Sequence, residues 1–561
     1  MKKVNMMAVF AALLVLGFSS CKKDDPKPTA PVMTGITVSG ELKSFNITVQ
    51  FSEGVYKNAD KTGDLDENSF SVVLSGGDAV LSSYTVSHSA SQKNAQIKII
   101  LSQNSDGNEN VSIKPKDASS IYSQDGMSMS VGETKTISLS GTTHETITVK
   151  DDGNGTGTTN WTANNIYLLD GFVFVNDGQT LTIEAGTVIK GKAGQGENAS
   201  ALVVARGGKI IAEGTADTPI VFTAEADDLN GSVADLDDGL WGGLILLGKA
   251  RLNTVPSEQQ IEGIPQTEPR GVYGGSDDGD NSGVLKYISI RHGGSDIGEG
   301  NEINGLTLGA VGSGTVIDYI EVFANKDDGI ELFGGAPRLS HIIVSFCGDD
   351  SFDYDQGFRG YGQFWVAVQG FERGDRLGEH DGGTDPETGQ PYALPTIYNA
   401  TYVGRGDGAG KRTLTFRDNA GGHYANSIFY NQEKGVDVEL LTDGCSYTRF
   451  ENGELTLRNN IFFDIVKSPI IRVSIGDGVS ETDEMAANNA LEAYFSTAGN
   501  EVSDPGFTLD GLTFKIIPAN DVTGNMDIYP DDWFQTVNYK GAFDPNVNWA
   551  EGWTLFSKYM N

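Results

Sequence analysis

Strand patterns fill the chain from about residue 31 to residue 141. Apolar and polar residues alternate in segments such as FNITVQF, AQIKIIL and VSIKP, and turns rich in glycine, serine and asparagine separate these segments. Alternation with a period of two places one face of a strand on a core and the other face in water. The pattern therefore predicts a β-sandwich over residues 31–141.

A different pattern begins at about residue 142. Short apolar strands such as TLTIEAGTVIKG, ALVVARGGKII and LWGGLILLGKA recur along the rest of the chain, and glycine turns join them. Recurrence at intervals of roughly 20–30 residues is typical of a solenoid. The long helical patterns that a βαβ protein would need are missing from the sequence.

The clearest repeat in this region has 22 residues. It aligns residues of three successive coils in the sets Tyr319/His341/Gln363, Ile320/Ile342/Phe364 and Val322/Val344/Val366. In a parallel β-helix, such apolar sets stack inside the coils. We therefore expect a parallel β-helix over residues 142–561, with YISI (287–290) one coil earlier, after a ten-residue insertion. NSIFYN (426–431) and NNIFFD (459–464) match one another as later coils.

Two further segments have distinct patterns. Residues 368–395 form a long polar excursion between coils, a usual place for recognition on a rigid solenoid. Residues 481–499 (ETDEMAANNALEAYFSTAG) predict a short helix that covers the last coils, because open solenoid ends need a cap.

The composition narrows the choice of partners. The chain has 76 acidic and 40 basic residues, which gives a formal charge of -36. Nucleic acid is excluded as a partner because no basic face is available to neutralise its phosphates. Cations and neutral or basic ligands are easier to accommodate on such a surface.

The N-terminus has the pattern of a bacterial lipoprotein signal. Residues 1–20 combine the basic MKK with a short apolar core, and small residues precede Cys21. This pattern predicts a removed signal peptide and a lipid on Cys21, so that no transmembrane helix is needed. Residues 21–30 (CKKDDPKPTA) then read as an extended tether. Asp24 and Asp25, which closely follow Cys21, resemble the surface-export signals of Bacteroidota lipoproteins. This resemblance implies that the protein is anchored in the outer membrane and faces the cell exterior.

Cysteine gives little further information. Only Cys347 and Cys445 follow the lipidation site. Outside the cytoplasm they could form a disulfide, or each could be a small buried hydrophobe. No metal-ligand spacing includes them.

The motifs resemble two known classes of domain. Residues 45–77 (FNITVQF through SVVLSGG) are similar to bacterial immunoglobulin-like domains of surface proteins. TLTIEAGTVIKG, LWGGLILLGKA, YISIRHGG, DDGIELFGG and VNYKGAFDPNVNWAEGWTLF resemble a group of Bacteroidota surface lipoproteins with a right-handed parallel β-helix of the pectin-lyase-like class. The resemblance implies the fold much more than a function.

Acidic residues recur at the same 22-residue spacing in NKDDGIELFGG (325–335) and GDDSFDYDQG (348–357). The register pairs Asp327 with Asp349, Asp328 with Asp350, and Glu331 with Asp353. Adjacent strands lie about 4.8 Å apart, so each pair repels by roughly 1 kcal/mol in water and about 3 kcal/mol at an effective dielectric constant near 20. A bound cation, protonation, or side chains fanning into water can relieve this repulsion. Strand parity predicts that Glu331, Asp353 and Asp355 share one exposed face.

Three interpretations of these carboxylates remain open. The first is a solvated turn in which aspartates cap backbone amides. The second is a metal site, with calcium as the candidate cofactor. Its candidate ligands are Asp327, Asp328, Asp349, Asp350 and Asp353.

The third interpretation is catalysis. Asn325, Asp327, Asp349 and Asp350 resemble the Asn-x-Asp and Asp-Asp motifs of polygalacturonase-type glycoside hydrolases. That resemblance implies that Asp327, Asp349 and Asp350 act as general acid and base. The family also carries a histidine and a basic pair on the following coils. One coil on, this chain has Phe371, Glu372 and Arg373 instead.

The sequence thus favours a surface lipoprotein that binds a glycan or protein ligand without catalysis. The first alternative is a polysaccharide-degrading hydrolase or lyase. The second is an accessory subunit of an outer-membrane transport or assembly complex, with a membrane barrel as its partner.

Overall fold

The computed structural model describes residues 28–560 except residues 42, 78, 141–144, 230, 299–300, 371 and 384–385. The predicted signal segment, Cys21 and residues 21–27 of the tether lie outside the described residues.

Antiparallel strands form the N-terminal part of the described chain. They are β1 (Met33–Glu41), β2 (Ser44–Phe51), β3 (Phe70–Ser75), β4 (Leu81–Ser87), β5 (Asn94–Leu101), β6 (Asn110–Pro115) and β7 (Lys135–Ser138). One sheet has the order β1-β2-β5-β4 and another has the order β3-β6-β7. Alternate residues such as Phe45, Ile47 and Val49 are buried in a core that both sheets share, as the alternating pattern predicts. The immunoglobulin-like character of this region stays a prediction.

Parallel strands form the rest of the molecule. Those of the first coils are β8 (Glu145–Val149), β9 (Thr159–Trp161), β10 (Asn165–Leu169), β11 (Phe172–Val175), β12 (Thr180–Ile183), β13 (Val188–Gly191), β14 (Ala201–Val204), β15 (Lys209–Glu213), β16 (Ile220–Ala224) and β17 (Leu244–Leu247). A covering loop then contains the hairpin of β18 (Glu258–Gln260) and β19 (Val272–Gly274).

The middle coils contain β20 (Gly283–Arg291), a hairpin of β21 (Asp296–Gly298) and β22 (Asn301–Glu302), β23 (Leu306–Gly309), β24 (Val316–Phe323), β25 (Ile330–Phe333), β26 (Arg338–Ser345), β27 (Phe352–Asp355), β28 (Tyr361–Val368) and β29 (Gly378–Asp381). The last coils contain β30 (Thr396–Tyr398), β31 (Thr401–Gly406), β32 (Arg412–Arg417), β33 (Gly422–Ala425), β34 (Ile428–Gln432), β35 (Lys434–Leu440), β36 (Leu455–Arg458), β37 (Ile461–Ile465) and β38 (Ile471–Ile475). Two helices, α1 (Ser446–Glu451) and α2 (Glu481–Thr497), and a hairpin of β39 (Thr508–Asp510) and β40 (Thr513–Lys515) complete the described α-helices and β-strands.

The parallel strands form two long sheets. The sheet β11-β14-β17-β23-β25-β27-β29-β32-β35-β38 is called the front sheet, and the larger sheet through β20, β24, β26 and β28 is called the back sheet. From β20 onward, each coil crosses the back sheet in two segments that meet at a corner residue with positive φ. The corner residues are Tyr287, Tyr319, His341, Phe364, Asn399, Asn426 and Asn459. The architecture confirms the expected parallel β-helix.

The predicted register is correct for most coils. Ile320 pairs with Ile342, 22 residues on, and Ile288 pairs with Ile320 after the predicted insertion, which forms the β21–β22 hairpin. The predicted register of the next step, from β26 to β28, is wrong by one residue, because Ile342 pairs with Trp365 rather than Phe364. His341 therefore stacks on the ring of Phe364, at 4.8 Å between centroids, and not on Gln363.

The C-terminal segments cover two surfaces of the solenoid. Helix α2 packs Ala487 and Leu491 on the core of the last coils, as the sequence predicts. Residues 507–560 lie against the outer side of the back sheet, where Phe556 joins a cluster with Val366 and Val368. The 368–395 excursion is not purely a loop, because it contains β29 of the front sheet.

Both cysteines in the solenoid are free thiols. Cys347 and Cys445 are each buried, so the disulfide alternative is not what the structure contains. Burial raises the pKa of the Cys347 thiol to about 12, as expected for a side chain that only fills space.

Candidate functional site

Acidic side chains form rows on the outer side of the front sheet. Strands β25, β27 and β29 pair in parallel, so that their outward residues align from one coil to the next. One row contains Glu331, Asp353 and Glu379. The inward residues Ile330 and Leu332 are buried in the core, which confirms the predicted strand parity.

The turns that precede these strands stack from one coil to the next, and their aspartates form two more rows. Gly348 N–H donates to the carbonyl of Asn325, and Asp375 N–H donates to the carbonyl of Asp349, so the turns of successive coils stack. The Asp350 N–H donates to Asp328 Oδ1 at 2.8 Å, and the Arg376 N–H donates to Asp350 Oδ1. Aspartates thus cap the backbone of the next coil, as the first interpretation proposes. The turn is only partly solvated, however, because Asp328 is 7% exposed and Asp350 is 1% exposed, whereas Asp349 is exposed.

The carboxylates converge in overlapping groups. In each group, one oxygen from every member lies within 4.8 Å of the others. The groups on this part of the sheet are Asp327/Asp328/Asp349, Asp328/Glu331/Asp353 and Asp349/Asp350/Asp375. The structure therefore brings together all five residues predicted as calcium ligands, and adds Glu331 and Asp375.

The 250–275 loop and the end of the β21–β22 hairpin enclose the middle group. Asn304, which is 1% exposed, donates from Nδ2 to Glu262 Oε1 at 3.2 Å and also to Glu331 Oε2. Because this covering brings Glu262 against Glu331, Glu331 is buried, and the predicted exposed face is wrong for this residue. Asp353 and Asp355 are half-buried.

Two oxygens at this enclosed group are buried without a hydrogen-bond partner in the described chain. They are Oδ1 of Asp353 and Oδ1 of Asn304. A buried polar atom without a partner costs free energy, and both atoms belong to side chains in or against the carboxylate cluster. They are the kind of oxygen that a hard cation would use.

Burial and mutual repulsion raise the pKa of these carboxyl groups. Burial is the main cause at Asp327, whose pKa rises to about 7 with help from Glu302, Glu262 and Asp349. Burial likewise raises the pKa of the neighbouring carboxyls well above the usual range; these are Asp328, Glu331, Asp350 and Asp353. The pKa of Asp349 is also raised, again mainly by burial.

Counter-charges are confined to one side of the cluster. Arg376 pairs with Asp350 at 3.4 Å and with Glu379 at 3.0 Å, and Arg417 pairs with Glu379 and Asp381. Among the described residues, no ion pair includes Asp327, Asp328, Glu331, Asp349 or Asp353. The group Asp328/Glu331/Asp353 is therefore acidic, enclosed and without a basic partner.

The residues of the hydrolase-like motif have other contacts. Asn325 is buried, and its Nδ2 donates to the carbonyls of Ile303 and Asp328, which fixes the turn. The turn that stacks on Asp349 and Asp350 presents Asp375 and Arg376 rather than a histidine. His380 lies inside the coil, where its ring stacks on Tyr354 at 4.1 Å. Of the residues one coil on, Arg373 pairs with Asp238, and Phe371 lies outside the described residues.

Several residues of the site were not predicted from sequence. Glu379 was missed because its strand contains the buried His380 in place of an apolar residue, so that GEHD does not read as a strand. Asp375 could have been found by continuing the aspartate row one coil further. Glu262, Glu302 and Asn304 come from loops and carry no periodic signal.

Comparison with known proteins identifies the solenoid. A family model described as a pectate-lyase-like β-helix domain matches residues 153–554. No curated protein and no solved structure matches the chain. No helix in the described residues is long and apolar enough to cross a membrane.

Proposed function

The chain belongs to the pectate-lyase-like β-helix family, and we propose that it is a cell-surface binding protein whose front sheet holds a divalent cation and a glycan ligand. The observation that carries the proposal is the enclosed group Asp328/Glu331/Asp353, which has no basic partner among the described residues. Three carboxylates at this spacing cannot all be ionised without a counter-charge.

Calcium suits this donor set best. It takes six to eight oxygen ligands from carboxylates, amide carbonyls and water, and tolerates irregular geometry. Asp328, Glu331 and Asp353 would hold the ion, and the unpartnered Oδ1 of Asn304 offers a neutral donor beside them. Cysteine and histidine, which zinc prefers, are absent from the groups of carboxylates described for this sheet.

The ligand would approach from the more exposed end of the cluster. Asp349 is exposed and Asp327 is half-buried, whereas Asp328 and Glu331 of the inner group are buried and its third member, Asp353, is half-buried. A glycan hydroxyl or carboxylate could complete the coordination of an ion at this end. The 368–395 excursion, which contains Asp375 and Arg376, borders the same end of the cluster.

Thermal unfolding with calcium and with a chelator tests the cation. We expect calcium to raise the melting temperature of the wild-type protein, and Asp353→Asn to lose this response. Asp177→Asn removes one charge from a side chain that is 79% exposed, and serves as the matched control. An identical melting temperature with calcium and with chelator would sink the proposal.

A polysaccharide-degrading enzyme is the second candidate. Asp327, with its pKa near 7, could donate a proton at neutral pH beside the exposed Asp349. A panel of acidic and neutral polysaccharides, incubated with and without calcium, separates the two functions. We expect no new reducing or unsaturated ends. Product that disappears in Asp349→Asn and Asp350→Asn would replace binding by catalysis.

The lipid anchor is a separate part of the proposal. Its support is the small-residue pattern before Cys21 in the sequence. Expression of the full chain with a labelled fatty acid should label the wild-type protein and not Cys21→Ser. Added protease should then degrade the protein on intact cells. Recovery of a membrane barrel in a pull-down from these cells would favour the accessory-subunit alternative.

A further inference from the structure

A groove on the back sheet lies away from the acidic cluster. It consists of two adjoining cavities of about 430 Å³ and 320 Å³ that share Ser313 and Arg338. The larger cavity is also lined by Val316, Gln363 and Trp533. These volumes are in the range of small-ligand sites. They suit one or two sugar residues better than a long chain.

Pairing in the back sheet builds the floor of this groove. Val316, Arg338 and Tyr361 are direct neighbours on β24, β26 and β28. They point outward, because Ile317 and Leu339, the residues after Val316 and Arg338, are buried in the core and the three strands are in register. Val316 is an exposed apolar side chain. The floor is therefore an apolar and aromatic surface with one guanidinium at its centre.

The C-terminal segment forms a fixed wall. Gln363 Nε2 donates to the carbonyl of Gln535, and the Gln535 N–H donates back to Gln363 Oε1, each at 2.8 Å. This pair holds Trp533 beside the groove, with its ring 5.9 Å from that of Tyr361. The wall is thus part of the folded structure.

Arg338 has no polar partner in the described chain. Its guanidinium forms neither a hydrogen bond nor an ion pair there. It makes a cation–π contact with the ring of Tyr361, in which Cζ lies 4.8 Å from the ring centroid. This is unusual in a chain with 76 acidic residues. A planar guanidinium with free donors fits a carboxylate in two parallel hydrogen bonds.

The acidic residues near Arg338 already have partners. Asp278 pairs with both Arg251 and Arg359. Asp318 accepts contacts from His341 at 2.9 Å and Lys286 at 3.9 Å. The charge of Arg338 is therefore not neutralised by these neighbours. The more distant acidic residues repel an anionic ligand only weakly, because at physiological salt the Debye length is about 8 Å.

We propose that this groove binds a terminal sugar that carries a carboxylate. The carboxylate pairs with Arg338, and the apolar face of the sugar ring packs on Trp533 and Val316. Hydroxyl groups of the sugar meet Ser313, Ser340 and Gln363, which line the same cavity. This site needs no metal ion, so it is independent of the cation site on the front sheet.

Calorimetric titration with sialyllactose and lactose tests the proposal. The two probes differ only in the carboxylated sugar, and chelator is present throughout. We expect sialyllactose to bind and lactose to bind at least about 10-fold more weakly, because a charge-assisted pair is lost. A glucuronate disaccharide and a sulfated disaccharide distinguish a general carboxylate site from one that accepts any anion.

Variants then identify the groove. Arg338→Gln and Trp533→Ala should each weaken sialyllactose binding by roughly 10-fold or more, whereas Arg338→Lys should retain part of it, because charge remains and the planar fork is lost. Arg206→Gln, which makes the same charge change at a residue that does not line the groove, should bind like the wild type. Unchanged melting temperatures would show that each variant is folded.

Three results would overturn the proposal. They are no binding of either carboxylated probe, binding that Arg338→Gln does not weaken, and equal binding of lactose and sialyllactose. In a separate titration with calcium in place of chelator, binding that appears only with calcium and disappears in Asp353→Asn would assign the ligand to the front sheet instead. A tighter complex with the sulfated probe than with either carboxylated probe would also contradict the carboxylate assignment.

Discussion

Asp353 is the residue at which burial and charge conflict most directly. Its Oδ1 is buried without a partner in the described chain, and burial together with Glu379, Asp381, Asp350 and Asp355 raises its pKa well above the usual range. A buried charge without a partner is costly, so Asp353 is either protonated or matched by a cation from solution. These two states respond in opposite ways to calcium.

Substituting Asp353 by asparagine should therefore separate the two states. In chelator at pH 8, we expect the unfolding free energy of Asp353→Asn to be about 1–3 kcal/mol higher than that of the wild type, because the substitution removes a charge that its neighbours repel. In calcium the order should reverse. All six tryptophans lie after residue 160, so tryptophan fluorescence in denaturant reports the solenoid. Equal stabilisation of both proteins by calcium would contradict a role for Asp353.

The pKa values of Asp327 and Asp355 predict how the unfolding free energy of the calcium-free protein depends on pH. Both have a pKa of about 7 in the folded state, against about 3.9 when unfolded. The folded protein thus binds more protons between about pH 4 and pH 7, and its unfolding free energy falls as the pH rises through this window.

Denaturation in chelator at several pH values measures this slope. Asp327→Asn should make the slope shallower by up to about 1 kcal/mol per pH unit, because one linked proton is removed. Asp177→Asn should leave the slope unchanged, since this side chain is exposed. If Asp327→Asn has the wild-type slope, the raised pKa of Asp327 is wrong.

At the scale of the strand and the turn, the corner residues show what the sequence could predict. The 22-residue spacing and the match of NSIFYN with NNIFFD predicted the coil register correctly for most steps. The step to β28 could not be read from sequence because Phe364, Trp365 and Val366 are part of one continuous apolar run. Both faces of this strand are buried, one in the coil and one under residues 507–560, so alternation gives no parity.

The same limits apply to the candidate site. The aspartate rows were predictable because strands with a fixed register repeat them. Glu262 and Asn304 were not, because their approach to Glu331 depends on how loops fold over the front sheet. Burial of the row also depends on those loops, which explains why the sequence predicted a solvated face.

Asn426 offers a test of the corners. It has a φ of 53° and is fully buried, and its side chain accepts from the Asp527 N–H at 2.7 Å and donates to the Asp527 carbonyl. Asn426→Ala should lower the unfolding free energy by about 2–4 kcal/mol, because it loses both hydrogen bonds and retains the strained backbone. Limited proteolysis should cut the segment around residue 527 faster. Asn546→Ala, an exposed asparagine bonded within its own turn, should change neither property.

At the scale of the whole molecule, which has a formal charge of -36, the basic side chains that pair with acidic residues are unevenly distributed along the front sheet. Basic side chains neutralise the Glu379–Asp381 end of the front sheet, and leave the Asp328/Glu331/Asp353 end to be matched from solution. A cation there would tie the covering loop, through Glu262, and the end of the β21–β22 hairpin, through Asn304, to β25 and β27. Binding would then stabilise the folded state, and the stabilisation would grow with the logarithm of the free calcium concentration.

Hydrogen exchange should locate this effect along the chain. We expect calcium to slow exchange in the 250–275 loop and in β25, and to leave β1–β7 of the N-terminal sheets unchanged. Slowing that is uniform over the whole chain, or that is confined to the N-terminal sheets, would show that calcium acts elsewhere.

Calcium binding measured by equilibrium dialysis tests the central claim most directly. The chelator-treated wild-type protein should bind calcium saturably, and Asp353→Asn should lose at least one bound ion per chain, whereas Asp177→Asn should bind as the wild type does. No saturable binding by the wild type, or the same number of ions bound by Asp353→Asn, would contradict a cation site at Asp328, Glu331 and Asp353.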